Sequence, residues 1–205
     1  MGKIIGIDFG TSLCRTAVYK SGSVEIIPNR FSEGKMHPLI EYSGKVKQLQ
    51  GVAKENITTF SFSSVKQKIG MDEIIQIADR KTTAIELAAD IFRAVKEDIK
   101  GYISEDISGG VVTVPPCFTE KQRAALKMAA EKGGFGTVKL LDSSTSTIMA
   151  SEMQEEGKVL LVYALGAGVF TASVFRIVHG IPQALWHEGD RKLGGNDFDI
   201  TIISF

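Results

Sequence analysis

The stretch Ile5-Gly6-Ile7-Asp8-Phe9-Gly10-Thr11-Ser12-Leu13-Cys14-Arg15-Thr16-Ala17-Val18 decides how the rest of the chain is read. It is an apolar strand, a turn of small residues and a second apolar strand. A copy stands at Leu161-Val162-Tyr163-Ala164-Leu165-Gly166-Ala167-Gly168-Val169-Phe170-Thr171-Ala172-Ser173-Val174, with Gly10 and Gly166 in register 156 residues apart. Solenoid repeats recur every 20–50 residues or so, so this spacing predicts two similar half-domains. Glycines let a backbone approach a phosphate closely, and successive N–H groups can then point at its oxygens. Thr11 and Ser12 add hydroxyl donors. Asp8, at the strand end, is a hard oxygen ligand of the kind that holds hydrated Mg2+. Two such turns facing each other would clamp a nucleoside triphosphate. A short glycine pattern is also an ordinary tight turn in many hairpins. The duplication in register and Asp8 at the strand end favour the phosphate reading.

Outward from these turns, strands alternate with helices. Lys3–Asp8 reads as a buried strand, and Arg15–Lys20 and Ser23–Pro28 continue an antiparallel meander through a Ser21-Gly22 turn. Pro38–Tyr42 reads as an edge strand with Ser43-Gly44 as its turn. Thr83–Lys100 reads as a helix: Thr83 and Glu86 make a capping-box pair, an apolar face repeats at three and four residues, and Gly101 is placed to end it. Gly110–Val114 is a β-branched run stopped by Pro115-Pro116. A second helix, Thr119–Lys132, follows with a Thr119/Gln122 capping box and a Gly133-Gly134 stop. Val138–Leu141 reads as a strand, Thr145–Met153 as a helix, and Val159–Tyr163, Phe170–Val178 and Gln183–Glu188 as strands. Asp197–Phe205 reads as a final helix.

Composition narrows the function classes. Of 205 residues, 24 are basic and 24 acidic, which leaves a formal charge of zero and argues against a nucleic-acid or anionic-membrane partner. No stretch reaches the roughly 20 apolar residues of a membrane helix, and the first residues carry no signal-peptide core. Gly6 replaces the Ser or Thr that a myristoylation signal wants. Cys14 and Cys117 match no metal or redox spacing and read as reduced thiols, which makes the cytoplasm the expected compartment.

Four segments, in order, resemble the ATPase domain of the heat shock protein 70 (DnaK-type) chaperones. Lys3–Ser12 resembles the first phosphate motif, and Val65-Lys66-Gln67-Lys68-Ile69-Gly70 the segment with the catalytic lysine. Val112–Arg123 resembles the strand–proline–helix signature. Leu193-Gly194-Gly195-Asn196-Asp197-Phe198-Asp199 resembles the Leu-Gly-Gly-(Glu/Asn)-Asp-Phe-Asp signature. The resemblance implies an α/β, ribonuclease-H-like, actin-type fold, a mixed sheet flanked by helices. Residues 1–143 would form lobe I, with a shortened outer subdomain at about 30–82, and residues 144–205 the crossover helix and the beginning of lobe II. It implies ATP or ADP with Mg2+ as cofactors. Asp8 would organise the Mg2+ water shell and Lys66 would orient the γ-phosphate and attacking water. Gly10, Thr11 and Ser12, with Gly166, Ala167 and Gly168 of the second turn, would contact the phosphates. Pro115 and Arg123 match positions that relay nucleotide state to a partner domain, and a co-chaperone or client protein is the implied partner.

The sequence departs from that family's pattern at the chemistry. Its second phosphate motif, Asp-Leu-Gly-Gly-Gly-Thr-Phe-Asp, is here Ala164-Leu165-Gly166-Ala167-Gly168-Val169-Phe170-Thr171, and its catalytic glutamate falls on Ser143. The span from Gly70 to Thr83 is short, and the chain stops at Phe205, before the family's adenosine pocket. The expectation is therefore a truncated, degenerate chaperone ATPase region with weak or no hydrolysis alone. Two alternatives stand beside it: a nucleotide-free pseudo-ATPase used as an interaction module, and another actin-like-fold ATPase. Leu160, Val162, Phe170, Val174, Ile177 and Leu185 exceed what residues 159–205 can bury, which predicts a homodimer through that region, or a disordered last segment, rather than a compact monomer.

Overall fold

The computed structural model describes residues 2–30, 34–35, 39–43, 46–50, 60–62, 65–77 and 80–204. The chain forms two compact units: Met1–Val112 with Glu120–Leu140, and Thr113–Thr119 with Leu141–Phe205.

The first unit is built on a five-stranded mixed sheet. Strand β1 (Lys3–Phe9) pairs antiparallel with β2 (Cys14–Lys20), and β2 with β3 (Ser23–Ile27). Ser21 and Gly22, both at positive φ, make the turn between β2 and β3, the backbone that matches the twist of a two-residue hairpin. Two small antiparallel elements come next in the chain. Strands β4 (Leu39–Ser43), β5 (Val46–Gln50) and β6 (Phe60–Phe62) form a three-stranded sheet; the Gly44 of the expected turn lies outside the described residues. The one-turn helix α1 (Val65–Lys68) precedes a hairpin of β7 (Ile74–Ile77) and β8 (Arg80–Thr83). Helix α2 (Ala84–Tyr102) and β9 (Ile107–Val114) follow, then α3 (Glu120–Lys132) and β10 (Thr137–Asp142). Strand β9 lies parallel to β1, and the sheet order is β10-β9-β1-β2-β3.

The core of this unit follows from strand alternation. Ile5, Ile7 and Phe9 are buried while Ile4, Gly6 and Asp8 face outward, so β1 is buried on one face only and not throughout. Phe9 stacks on Phe92 of α2 with centroids 4.8 Å apart, and Phe135 meets Phe92 edge-on at 6.2 Å. The Thr83/Glu86 capping box closes the start of α2 as the residues require. Its end differs from expectation. Gly101 lies inside the last turn, and the Ile103 N–H still bonds the Ile99 carbonyl at 2.9 Å. Helix α3 does stop at glycine: Gly134 has φ +97, its N–H bonds Glu131, and the Phe135 N–H reaches back to Ala130. That pair of bonds is the Schellman closure, which wants a left-handed residue.

The second unit holds helix α4 (Ser143–Ala150), the antiparallel sheet β11 (Val159–Leu165), β12 (Phe170–Val178) and β13 (Ile181–Asp190), and helix α5 (Gly195–Ile203). Both helices start two residues earlier than the sequence suggests, and α4 ends at Ala150, well short of Met153. Ile148, Phe175 and Ile177 form the small core, with Leu160 and Val162 partly buried against it. The buried Ser173 hydroxyl donates to that of Ser144 at 3.1 Å. Of the six residues expected to be short of cover, Ile177 is therefore fully buried and Leu185 is exposed. Leu161, Tyr163 and Trp186 are exposed with Leu185.

Candidate functional site

The first hairpin turn is made by one backbone bond. Phe9 faces Cys14 across the strands, and the Gly10 N–H donates to the Leu13 carbonyl at 2.9 Å. A Cβ on Gly10 would run into that same Leu13 oxygen, so the turn needs glycine for close approach. Thr11 is buried, and Ser12 and Leu13 are half-buried. One residue pair further from the tip, Asp8 stands opposite Arg15 and the two form an ion pair at 4.0 Å, each side chain about half exposed.

Lys66 and Lys68 fit a lysine pattern almost equally well in the sequence, but they occupy different environments. Lys68 binds Glu73 at 2.8 Å on the surface, whereas Lys66 is only 8% exposed. Lys66 also lies close enough to Cys14 for its charge to act on the thiol. The segment is fastened at Gly70, which has φ +79 and whose Cβ would lie 2.7 Å from Cγ of Gln122 on α3.

Burial pushes the Cys14 thiol up to about 12; the neighbouring Asp8 charge adds to the rise and Lys66 opposes it. Only a thiolate is a competent nucleophile, so Cys14 stays protonated and inert across the ordinary pH range. Iodoacetamide at pH 8 is expected to label the half-buried Cys117 in the native protein, and Cys14 only after unfolding. Peptide mapping reads this, and comparable native labelling of both would show that Cys14 is not sealed.

The second turn repeats the first. Leu165 faces Phe170, and the Gly166 N–H donates to the Val169 carbonyl, again at 2.9 Å. Position for position, Ala164 and Thr171 replace Asp8 and Arg15, and Thr171 is buried. The start of α5 docks onto this turn. Gly195 N–H donates to the Gly166 carbonyl at 3.0 Å and Asn196 N–H to that of Ala167 at 2.7 Å. A Cβ on Gly194 would lie 2.5 Å from the carbonyl carbon and oxygen of Ala167 and from the Gly168 nitrogen. The Leu193–Asp199 segment thus clamps the turn, a role that the Gly-Gly pair ahead of a helix hints at but does not specify. Ser143, at the position of the family's glutamate, begins α4, and its carbonyl accepts from the Ser146 and Thr147 hydroxyls.

The donors present do not suit a protein-held Mg2+ ion. Asp8 is ion-paired with Arg15, the second turn carries no carboxylate at Ala164 or Thr171, and among the described residues no group of three or more His, Cys, Asp or Glu side chains could hold a metal ion.

A mixed sheet flanked by helices, with a strand–turn–strand element made twice by the same backbone bond, defines the class: an α/β protein of the ribonuclease-H-like, actin-type ATPase fold. A family model described as Hsp70 protein matches residues 53–205. The chain belongs to the Hsp70 family, a family of chaperone ATPases whose domains bind nucleotide with Mg2+. The matched region takes in the Lys66 segment, the Val112–Arg123 and Leu193–Asp199 signatures and the whole second hairpin.

Proposed function

We propose that this chain is the N-terminal ATPase region of a DnaK-type Hsp70 chaperone, acting in the cytoplasm, and that it binds ATP or ADP chiefly through the first hairpin. The observation that carries this reading is the contrast between two turns of one backbone design. The first combines Thr11, Ser12 and a charged Asp8–Arg15 pair with the buried Lys66 nearby; the second presents Val169 and the uncharged Ala164–Thr171 pair. In this reading Gly10 lets the backbone approach the phosphates, Thr11 and Ser12 donate to their oxygens, and Lys66 holds the terminal phosphate. Gly166, Ala167 and Gly168 offer backbone contacts only, and two of their carbonyls are already engaged by α5. Hydrolysis by the chain alone is weak or absent. Phosphoryl transfer depends on positioning and charge, and the family's acids are replaced by Ala164, Thr171 and Ser143.

Calorimetric titration with ADP and ATP tests the proposal. Thr11→Val is expected to weaken binding about tenfold, the value of one hydroxyl donor to a charged acceptor; Val169→Ala should change it by less than about twofold, since no donor is lost. A larger effect at Val169 would reverse the weights given to the two turns. No heat with either nucleotide would favour the interaction-module reading, which the missing acids also suit.

A further inference from the structure

The two turns share a backbone bond and differ most at one cross-strand pair. In the first, Asp8 and Arg15 are opposite each other and ion-paired at 4.0 Å. In the second, the equivalent pair is Ala164 and Thr171. A carboxylate beside a phosphate turn is useful when it gathers a cation that offsets the phosphate charge. Here the cation is part of the strand. Arg15 is the second residue of β2, the strand that leaves the turn, and its side chain shares the solvent-facing side of the hairpin with Asp8. A guanidinium keeps its charge at any ordinary pH and presents a planar fork of N–H donors that fits two phosphate oxygens at once. The same charge beside the Asp8 carboxylate opposes a divalent ion there, because like charges a few ångströms apart repel. No second carboxylate in either turn makes up the difference.

We propose that Arg15 takes the place of the divalent metal, so that the chain binds the polyphosphate of a nucleotide without Mg2+. The inference rests on the phosphate reading of the first turn given above. Asp8 is then a positioning residue: it holds the guanidinium on the turn side of the strand, so the charge is in place before the nucleotide arrives. Lys66 is the second cation of the site, and its burial keeps it from acting as a simple surface charge.

The experiment is calorimetric titration of the full chain with ADP, once with excess MgCl2 and once with excess EDTA. The wild type should give dissociation constants that agree within about twofold, because the charge it uses is covalently attached. Arg15→Ala should lose about tenfold or more in EDTA and recover part of that with Mg2+, since the guanidinium charge no longer opposes a divalent ion beside Asp8. Arg15→Lys should fall between, keeping the charge but not the fork. Binding by the wild type that is tenfold or more tighter with Mg2+ would overturn the inference while leaving the proposed function standing. Arg15→Ala that binds like the wild type in EDTA would overturn it as well. No binding in either buffer would remove both. The wild-type comparison decides the matter even if a variant fails to fold.

Discussion

Alanine at Gly194 should cost the second unit about 3 kcal/mol, near the upper end for overpacking against backbone, and should free the turn at residues 166–169. The new Cβ would sit 2.5 Å from three main-chain atoms of Ala167 and Gly168, none of which can rotate aside. Either α5 lifts off or the turn shifts, and both routes break the bonds from Gly195 and Asn196 to the Gly166 and Ala167 carbonyls. Gly194 has φ −169 and ψ −179, an extended conformation open to any residue, so the requirement is proximity and not backbone freedom. The next glycine is the internal control. A Cβ on Gly195 would meet only the Ala167 Cα at 3.9 Å, an ordinary contact. Gly195→Ala should therefore cost less than about 1 kcal/mol, in line with changes that force no repacking. Hydrogen exchange at residues 195 and 196, with thermal melts of both variants, measures the difference. Equal losses would mean that the docking of α5 on the turn has been misjudged.

Phe92→Ala is expected to be worse, at about 4 kcal/mol, the usual cost of removing a buried aromatic ring. Phe92 is fully buried, stacks on Phe9 and meets Phe135 edge-on. It thereby joins α2, the strand that carries Asp8 and the loop after α3. A Cβ on Gly133 would run into the Phe92 Cβ, so the chain after α3 packs directly against the base of this side chain. Urea unfolding gives the value. Met128→Ala, on an exposed position of α3, should stay within about 0.5 kcal/mol of the wild type. A Phe92→Ala loss under about 1.5 kcal/mol would show that the aromatic group is not the close-packed centre of the first unit.

What could be read from the chain without its structure was governed by bonds between near neighbours. The Thr83/Glu86 capping box spans three residues. The Gly10–Leu13 and Gly166–Val169 turns are each closed by one bond over the same distance, so their likeness survives in the residues themselves. The Gly133-Gly134 stop is local for the same reason. Asp8 and Arg15 are also a hairpin pair, and a four-residue turn is enough to set them opposite each other.

Tertiary structure decided whatever depends on a distant partner. Gly101 sits where a helix-ending glycine belongs, yet α2 runs to Tyr102 because Ile103 is buried and carries the last bond. Lys66 and Lys68 differ by one polar residue between them; packing buries the first and leaves the second to Glu73. The small sheet of β4, β5 and β6 depends on pairing between segments whose own patterns are short. Gly194 became necessary only when the chain returned to the turn at Ala167, 27 residues earlier, and brought two backbones into contact. Hydrogen bonds within a turn are written in adjacent residues, whereas exclusion of one atom by another is a property of where the folded chain happens to meet itself.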